Sequence, residues 1–179
     1  YNNPQPTRRF YIGPMFRYEN TQKGRQRQFH QFGVEMLGSY SPALDAEAIS
    51  VVAELLKRLG IKDVELRINS LGCNECRQRY NTALKEYIGS NIDKLCDDCK
   101  SRFDKNPLRV LDCKEESCQK IIAEAPVVLD YLDDECKEHF ETVKAILDDM
   151  GIKYTVDEKI VRGLDYYTRT VFEFVANGI

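Results

Sequence analysis

The sequence predicts an α+β fold: an antiparallel sheet with a flanking helix, interrupted by a small helical insertion. Three observations indicate this fold. Side chains alternate sharply along a run near the start of the chain, and strand character returns near its end. An apolar stripe with helical spacing follows the first strands, and a charge-rich block of helical periodicity occupies residues 73–150. Because strand character returns after that block, we expect it to be an insertion into a sheet domain.

The bulk composition is that of a globular protein. The chain has 179 residues, of which 42% are hydrophobic, enough for one substantial domain or two small ones. No apolar stretch reaches the roughly 18 residues of a membrane span, and no secretory signal is recognisable, so we expect a cytoplasmic protein without a membrane partner. The chain starts at Tyr1 and stops just after a strand-like run, so we expect it to be a piece of a longer protein.

The first predicted element is a β-hairpin. Strand-like runs at 10–18, interrupted at Gly13-Pro14, and at 26–37 flank a polar turn centred on Gln22-Lys23-Gly24. After the turn, alternate side chains share one face, namely Arg25, Arg27, Phe29, Gln31, Gly33 and Glu35. Arginine, glutamine and glutamate are expensive to bury unless they are paired or matched to a ligand. The first 38 residues also contain six basic and two acidic residues although the net charge is −3, which favours an anionic partner here.

The remaining elements follow from periodicity. Asp45 opens a helix that Gly60 ends, and Val64, Leu66 and Ile68 alternate in a strand. Helical spacing then predicts four helices, over 76–88, 92–103, 118–125 and 136–150. Strand character returns at 152–156 and 171–175. The predicted organisation is therefore a sheet domain made of 1–72 and 151–179, with a helical domain at 73–150.

Two long stretches resemble one known family. Residues 16–35, FRYENTQKGRQRQFHQFGVE, resemble motif 2 of the class II aminoacyl-tRNA synthetases in the form found in histidyl-tRNA synthetases. Residues 160–173, IVRGLDYYTRTVFE, resemble the first histidine-specific motif of that family. The resemblance implies part of a class II catalytic core, in which residues 73–150 contact the tRNA acceptor arm. It also implies a homodimeric enzyme that activates histidine with ATP and Mg²⁺ and transfers it to the 3′ end of histidine tRNA.

The resemblance also assigns site residues. Arginine suits adenylate formation because its planar fork is always charged and binds phosphate oxygens in pairs. The resemblance implies that Arg17 contacts the α-phosphate of ATP. It also implies that Arg162 lies near the histidine carboxylate and that phosphate. It implies further ATP contacts from Glu19, Gln22 and Arg25. It implies a histidine pocket made of Gln31, Glu35, Arg162, Tyr166 and Tyr167.

Two further interpretations remain open beside the ligase. A non-catalytic paralogue would share the fold and act as a regulatory subunit in histidine biosynthesis, but such paralogues typically lack the insertion and have degraded ATP loops. A zinc-dependent RNA-binding module would explain the cysteines but not the polar strand face. Many family members have Arg-Pro where this chain has Asn20-Thr21. Motif 1 and motif 3 fall outside the chain, so we expect an incomplete active site and an inactive isolated piece.

The seven cysteines are numerous for a chain of this size. They include two C-x2-C pairs, and these four cysteines have a spacing typical of structural zinc: Cys73, Cys76, Cys96 and Cys99. Several of the cysteines also fall on apolar helical stripes, where cysteine packs as a small hydrophobic residue. The sequence therefore leaves three states open: a structural zinc site, reduced thiols in a helical core, and disulfides formed on oxidation.

Overall fold

The computed structural model describes residues 4–18, 20–160 and 166–176. Within these ranges the order of elements is β1 (Thr7–Phe16), β2 (Gln28–Leu37), α1 (Pro42–Arg58), β3 (Val64–Ser70), α2 (Asn74–Ser90), α3 (Asp97–Lys105), α4 (Glu116–Ile122), α5 (Asp134–Asp149), β4 (Thr155–Val156) and β5 (Thr170–Ala176). Short 3-10 turns occur at Ile92–Lys94, Pro107–Val110 and Val128–Tyr131. The α+β prediction is confirmed. No helix in the described ranges is long and apolar enough to cross a membrane.

The N-terminal strands form the predicted hairpin. β1 and β2 pair antiparallel in an unbroken register from Thr7 opposite Leu37 to Phe16 opposite Gln28. The interruption predicted at Gly13-Pro14 does not occur, and Pro14 lies in the strand opposite His30. An edge strand accommodates proline because only one side of its backbone needs to form ladder hydrogen bonds.

Helix α1 begins three residues before the predicted start at Asp45. Ser41 caps it, because its Oγ accepts the backbone N–H of Ala43 at 3.3 Å, and Pro42 occupies the first turn. Proline is well placed there, since the first backbone N–H groups of a helix have no partner within the helix. The predicted stop is confirmed: the helix ends at Arg58, and Gly60 turns the chain with a φ of 73°.

A second sheet carries the main core. β3 lies at its centre, antiparallel to β5 and parallel to the short β4. The strand predicted over 152–156 is reduced to Thr155–Val156. α1 and α5 pack on this sheet through one cluster of buried side chains: Ala46, Ile49, Leu66, Ile68, Phe140, Val143 and Leu147.

The helices α2, α3 and α4 form a separate unit, called the helical module here (residues 74–131). It has its own core of buried side chains: Tyr80, Leu84, Ile88, Leu95, Cys99, Val110, Cys113, Cys118, Ile122 and Val128. α2 continues through Gly89 to Ser90, and the helix predicted over 92–103 divides because Cys96 is the N-cap of α3. Since α5 packs with α1 and β3, packing favours a module that ends before α5 rather than at residue 150.

Candidate functional site

One face of the hairpin collects the polar residues that the sequence singled out. The register places Gln31 opposite Gly13 and Glu35 opposite Arg9. The backbone N–H of Arg17 donates to the carbonyl of Arg27 at 2.8 Å, which extends the pairing beyond β1. Partners directly opposite in an antiparallel pair point to the same side. The predicted common face of Gln31 and Glu35 is confirmed, and the pairing with Arg27 adds Arg17 to that face.

Arg17 lies against an aromatic ring on that face. Its guanidinium carbon is 3.8 Å from the centroid of the Phe29 ring, a distance typical of a cation–π contact. Its Nε is buried and has no hydrogen-bond partner among the residues described. A buried guanidinium N–H without an acceptor is costly. This group is therefore suited to an anionic ligand, which would both accept the hydrogen bond and balance the charge.

Gln31 is held by a residue that the sequence did not single out. Its Nε2 donates to the hydroxyl of Tyr11 at 2.8 Å. The Tyr11 ring crosses Gly33, where an added Cβ would lie 2.3 Å from the ring carbon Cζ. Gly33 thus makes room for the ring, and the ring fixes the amide of Gln31. Tyr11 could be found from sequence only once the register had placed it opposite Gly33.

The turn between the strands carries the predicted ATP-loop residues. Gln22 and Arg25 exchange backbone hydrogen bonds, with N–H to carbonyl distances of 3.1 Å and 2.8 Å. Gly24 has a φ of 77°, a conformation that glycine adopts without steric cost. The predicted turn is confirmed, and it places Gln22 and Arg25 at the tip of the hairpin.

The predicted histidine-pocket tyrosines lie next to the helical module. The rings of Tyr166 and Tyr167 meet edge to face with their centroids 5.1 Å apart. Nη1 of Arg77 on α2 donates to the carbonyl of Tyr167 at 2.8 Å. In the described part of the chain, neither tyrosine has a hydrogen bond or ring contact with Arg17, Gln31 or Glu35. The predicted residues Arg162 and Glu19 lie outside the described residues.

A buried histidine joins three separate elements. His139 is 7% exposed; its Nε2 lies 2.8 Å from Oδ2 of Asp45, and its Nδ1 lies 2.9 Å from Nη1 of Arg169. A guanidinium can only donate, so Nδ1 accepts and the ring proton resides on Nε2, facing Asp45. Arg169 also pairs with Glu135, and this hydrogen bond raises the pKa of Arg169. The sequence signal was weak: His139 follows Cys136 by three residues on the apolar stripe of α5.

The cysteines form two groups, and the grouping predicted from spacing is wrong. Cys73 and Cys76 lie with Asp133 and Cys136. Cys96 and Cys99 lie with Cys113 and Cys118. In each group the candidate ligand atoms are within 4.8 Å of one another. The two C-x2-C pairs cannot meet because the 17-residue helix α2 separates them, and such a helix is about 25 Å long.

The first group, with Asp133, is organised as two helix caps. The sulfur of Cys73 accepts the backbone N–H of Cys76 at 3.4 Å, and Oδ1 of Asp133 accepts that of Cys136 at 2.7 Å. Oδ2 of Asp133 accepts hydrogen bonds from the thiols of Cys73 and Cys76 at 3.2 Å and 3.1 Å. These donors, led by the N–H of Cys136, depress the pKa of Asp133. The group therefore satisfies its own polar atoms where the module joins the sheet.

Comparison with known proteins relates the chain to one family. The family model described as histidyl-tRNA synthetase matches residues 1–179. The chain is 56% identical to the histidine–tRNA ligase of Clostridium botulinum (strain Langeland) over all 179 residues, which cover 43% of that relative. It is 61% identical over 173 residues to the histidine–tRNA ligase of Halothermothrix orenii, covering 97% of this chain and 41% of that relative. The chain thus spans less than half the length of these curated relatives.

Solved structures give the same relation. The apo histidyl-tRNA synthetase of S. aureus matches with a TM-score of 0.72 and 43% identity, covering 97% of this chain and 40% of that one. A Bacillus halodurans structure described as an ATP phosphoribosyltransferase regulatory subunit/histidyl-tRNA synthetase matches with a TM-score of 0.54 and 22% identity, covering 99% of this chain and 50% of that one. At that identity the second likeness extends to the fold alone.

Proposed function

Because the chain belongs to the histidyl-tRNA synthetase family, we propose that the protein containing it is a histidine–tRNA ligase and that the chain carries part of its active site. The ligase joins histidine to ATP as histidyl-adenylate and then transfers the histidyl group to the 3′ end of histidine tRNA. A homodimeric, cytoplasmic enzyme is part of this proposal. The observation that carries it is the hairpin face on which Arg17, with a buried unpaired Nε, lies on the same side as Gln31 and Glu35.

The first step needs charge stabilisation more than proton transfer. An oxygen of the histidine carboxylate attacks the α-phosphorus of ATP, and the bond to pyrophosphate breaks. Negative charge develops on the phosphate oxygens, and a fixed guanidinium stabilises it because its orientation is set in advance. The Phe29 ring supplies that orientation for Arg17. We assign a second such charge to Arg162 from the motif resemblance.

The rest of the face suits a positively charged amine and a small ring. Glu35 is the one carboxylate among the described residues of the face, and we propose that it binds the α-amino group of histidine. Gln31, fixed by Tyr11, would bind beside it, and Tyr166 and Tyr167 would contact the imidazole. Glu19, Gln22 and Arg25 would contact ATP. With one carboxylate on the described face, Mg²⁺ would be held largely by the ATP phosphates, as is usual for this ion.

In the second step the terminal hydroxyl of tRNA attacks the carbonyl carbon of the adenylate, and AMP leaves. We propose that the helical module positions the acceptor arm for this attack. Its separate core supports a distinct role, because the module is packed independently of the hairpin that carries the adenylate residues. A regulatory paralogue is not favoured, since the relatives named histidine–tRNA ligase are 56% and 61% identical.

The test is Arg17→Ala in the full-length parent protein, with Arg8→Ala as the matched control. Arg8 is an arginine near the start of β1, whereas Arg17 immediately follows that strand. Arg8 pairs with Glu47 on α1, with Nη2 and Oε2 2.7 Å apart. Histidine-dependent ATP–pyrophosphate exchange should fall about 10²–10³-fold for Arg17→Ala, the usual cost of a lost charge-stabilising group. It should change little for Arg8→Ala. Equal exchange in both variants would exclude the proposed role of Arg17.

A further inference from the structure

Four cysteine sulfurs meet inside the helical module. Cys99, Cys113 and Cys118 are buried, with exposed fractions of 0%, 5% and 0%, and Cys96 is half-buried. All four sulfurs lie within 4.8 Å of one another. The residues come from three segments: the start of α3, the loop after the second 3-10 turn, and α4. The group is therefore a tertiary feature and not only a C-x2-C repeat.

The spacing of the sulfurs matches tetrahedral coordination. Sγ of Cys96 and Sγ of Cys113 are 3.8 Å apart. A tetrahedron with Zn–S bonds of about 2.3 Å has edges of about 3.8 Å. A disulfide would need an S–S distance of about 2.05 Å. The Cys96–Cys113 separation therefore fits an edge of a zinc tetrahedron and excludes a disulfide, and all four cysteines are free.

The backbone around the group places positive dipole ends close to the sulfurs. Cys96 is the N-cap of α3, and Cys99 is in its first turn, where the helix dipole stabilises negative charge. The backbone N–H of Cys96 points at Sγ of Cys118 at 3.3 Å. Hydrogen bonds of this kind stabilise metal-bound sulfur and fix its orientation. The donors come from the chain itself and need no rearrangement.

We propose that Cys96, Cys99, Cys113 and Cys118 bind one zinc ion as a structural site of the helical module. Four soft ligands in tetrahedral arrangement select zinc among the common divalent ions. With four protein ligands there is no open position for substrate, so the ion stabilises the fold and takes no part in the reaction. Each coordinating thiol releases its proton to solvent on binding.

The module has a physical need for such a site. α3 has nine residues and α4 has seven, which is below the roughly 12–15 residues at which isolated helices become stable. A core of this size is usually supplemented by a metal or disulfides. The zinc ion would tie both short helices to the loop that connects them. A surface cleft lies directly against Cys96 and Cys113. Its other lining residues are four acidic and two basic side chains: Asp97, Asp98, Asp112, Glu115, Arg102 and Lys114.

The group around Asp133 provides the internal comparison. Its carboxylate already caps α5 and accepts two thiol hydrogen bonds, so its polar atoms are satisfied without a metal. Cys73 and Cys96 are also closely matched. Each is half-buried, begins a C-x2-C pair and immediately precedes a helix. Serine at position 73 would keep a cap oxygen for α2.

The experiment compares the full-length wild-type protein with its Cys96→Ser and Cys73→Ser variants. Each protein is expressed with zinc in the medium, purified anaerobically with a phosphine reductant and no chelator, and analysed for bound metal. We expect about one zinc per chain in the wild type and in Cys73→Ser. In metal-free wild type, Co²⁺ should give thiolate charge-transfer bands and the visible bands of a tetrahedral site. The affinity of Cys96→Ser for Co²⁺ should be more than about 100-fold lower than that of wild type. Losing a residue that only supports a metal ligand costs roughly 10–100-fold, and losing a ligand should cost more.

A second measurement does not depend on any variant folding. Zinc added to metal-free wild type should protect the four proposed ligands from alkylation, as mapped by mass spectrometry, and leave Cys73 no more protected than before. The proposal is overturned by wild type free of zinc, by iron as the bound metal, or by equal zinc content in Cys96→Ser and wild type. Protection at Cys73, Cys76 and Cys136 in place of the four proposed ligands would also overturn it.

Discussion

The hairpin and the helical module bury their side chains in opposite ways. The hairpin exposes large apolar residues, with exposed fractions of 77% for Phe10, 73% for Ile12 and 74% for Phe16. The module instead packs its helices around a core of ten buried residues. A two-stranded hairpin is marginally stable on its own, and here an ion pair between Arg8 and Glu47 ties it to α1. The residues proposed for adenylate chemistry thus lie on the element with the least core of its own.

Removing the helical module is the most direct test of whether the two regions have separate roles. Its two ends meet where Sγ of Cys73 lies 3.2 Å from Oδ2 of Asp133, so a short Gly-Ser linker can replace residues 74–131 of the full-length protein. We expect tRNA charging to fall by at least about 10³-fold, because docking of the acceptor arm supplies the positioning for transfer. Histidine-dependent pyrophosphate exchange should remain within about tenfold of wild type. Equal losses in the two assays would mean that the hairpin depends on the module for its structure.

Gly33→Ala tests whether the Tyr11 ring fixes Gln31 in the hairpin. The new methyl group would lie 2.3 Å from the Tyr11 ring, so the ring must move and Gln31 loses its fixed partner. We expect the KM for histidine to rise about 10–100-fold, which corresponds to the roughly 1–3 kcal/mol cost of overpacking. Gly13→Ala is the matched control, since that glycine has nothing within 4 Å of an added Cβ. Similar KM values in both variants would contradict the assigned role of Tyr11.

His139→Ala tests the connection between the sheet and its helices. The change leaves Asp45 and Arg169 without their shared partner and opens a cavity, so we expect a loss of about 2–3 kcal/mol in the free energy of unfolding. His30→Ala is the control, because His30 is the other histidine of the chain and is exposed. It should cost less than about 0.5 kcal/mol. Urea denaturation of both variants measures the difference, and equal midpoints would contradict the role of His139.

The smallest effect is expected at Asp133, where the two regions join. Its folded-state pKa is depressed, so its stabilising contribution is complete above the unfolded pKa of about 3.9. That contribution disappears as the pH falls through the lower folded value. Asp133→Asn keeps a capping side chain, so it should cost about 1 kcal/mol at pH 7. The difference from wild type should shrink below about pH 4, as measured by urea unfolding at several pH values. Asp134→Asn, at the exposed first residue of α5, controls for the loss of a charge.

The local signals in the sequence were sufficient for most elements. Alternation predicted the hairpin and β3, and helical spacing predicted α5 over nearly its full length. Boundaries failed where one side chain decides them: Ser41 starts α1 before Asp45, and Cys96 ends one segment and caps the next. The cysteine pairs were assigned wrongly because spacing identifies which sulfurs are local neighbours but not which pairs the fold brings together. The position of α2 between them decides that question.

The candidate site shows the same difference between local features, which the sequence predicts, and features that depend on the fold. The common face of Gln31 and Glu35 could be predicted because strand alternation is a local property, whereas the place of Arg17 on that face depends on the hairpin register. Tyr11 could not, since its importance depends on lying opposite Gly33 across the hairpin. The roles of Arg17 and Glu35 rest on the motif resemblance and remain predictions. Those of Arg162 and Glu19 also remain predictions, because both residues lie outside the described part of the chain.

The meeting of the module's ends has a consequence for folding kinetics. Pairing of Ser70 with Thr170 closes a loop of roughly 100 residues if the intervening chain is unstructured. If the module folds first, contact between Cys73 and Asp133 shortens the effective loop to about 40 residues. The entropic cost of closure then falls by about 0.8 kcal/mol. Local contacts generally form faster than distant ones, so we expect the module to fold early and to bring β3 and β5 within reach of each other.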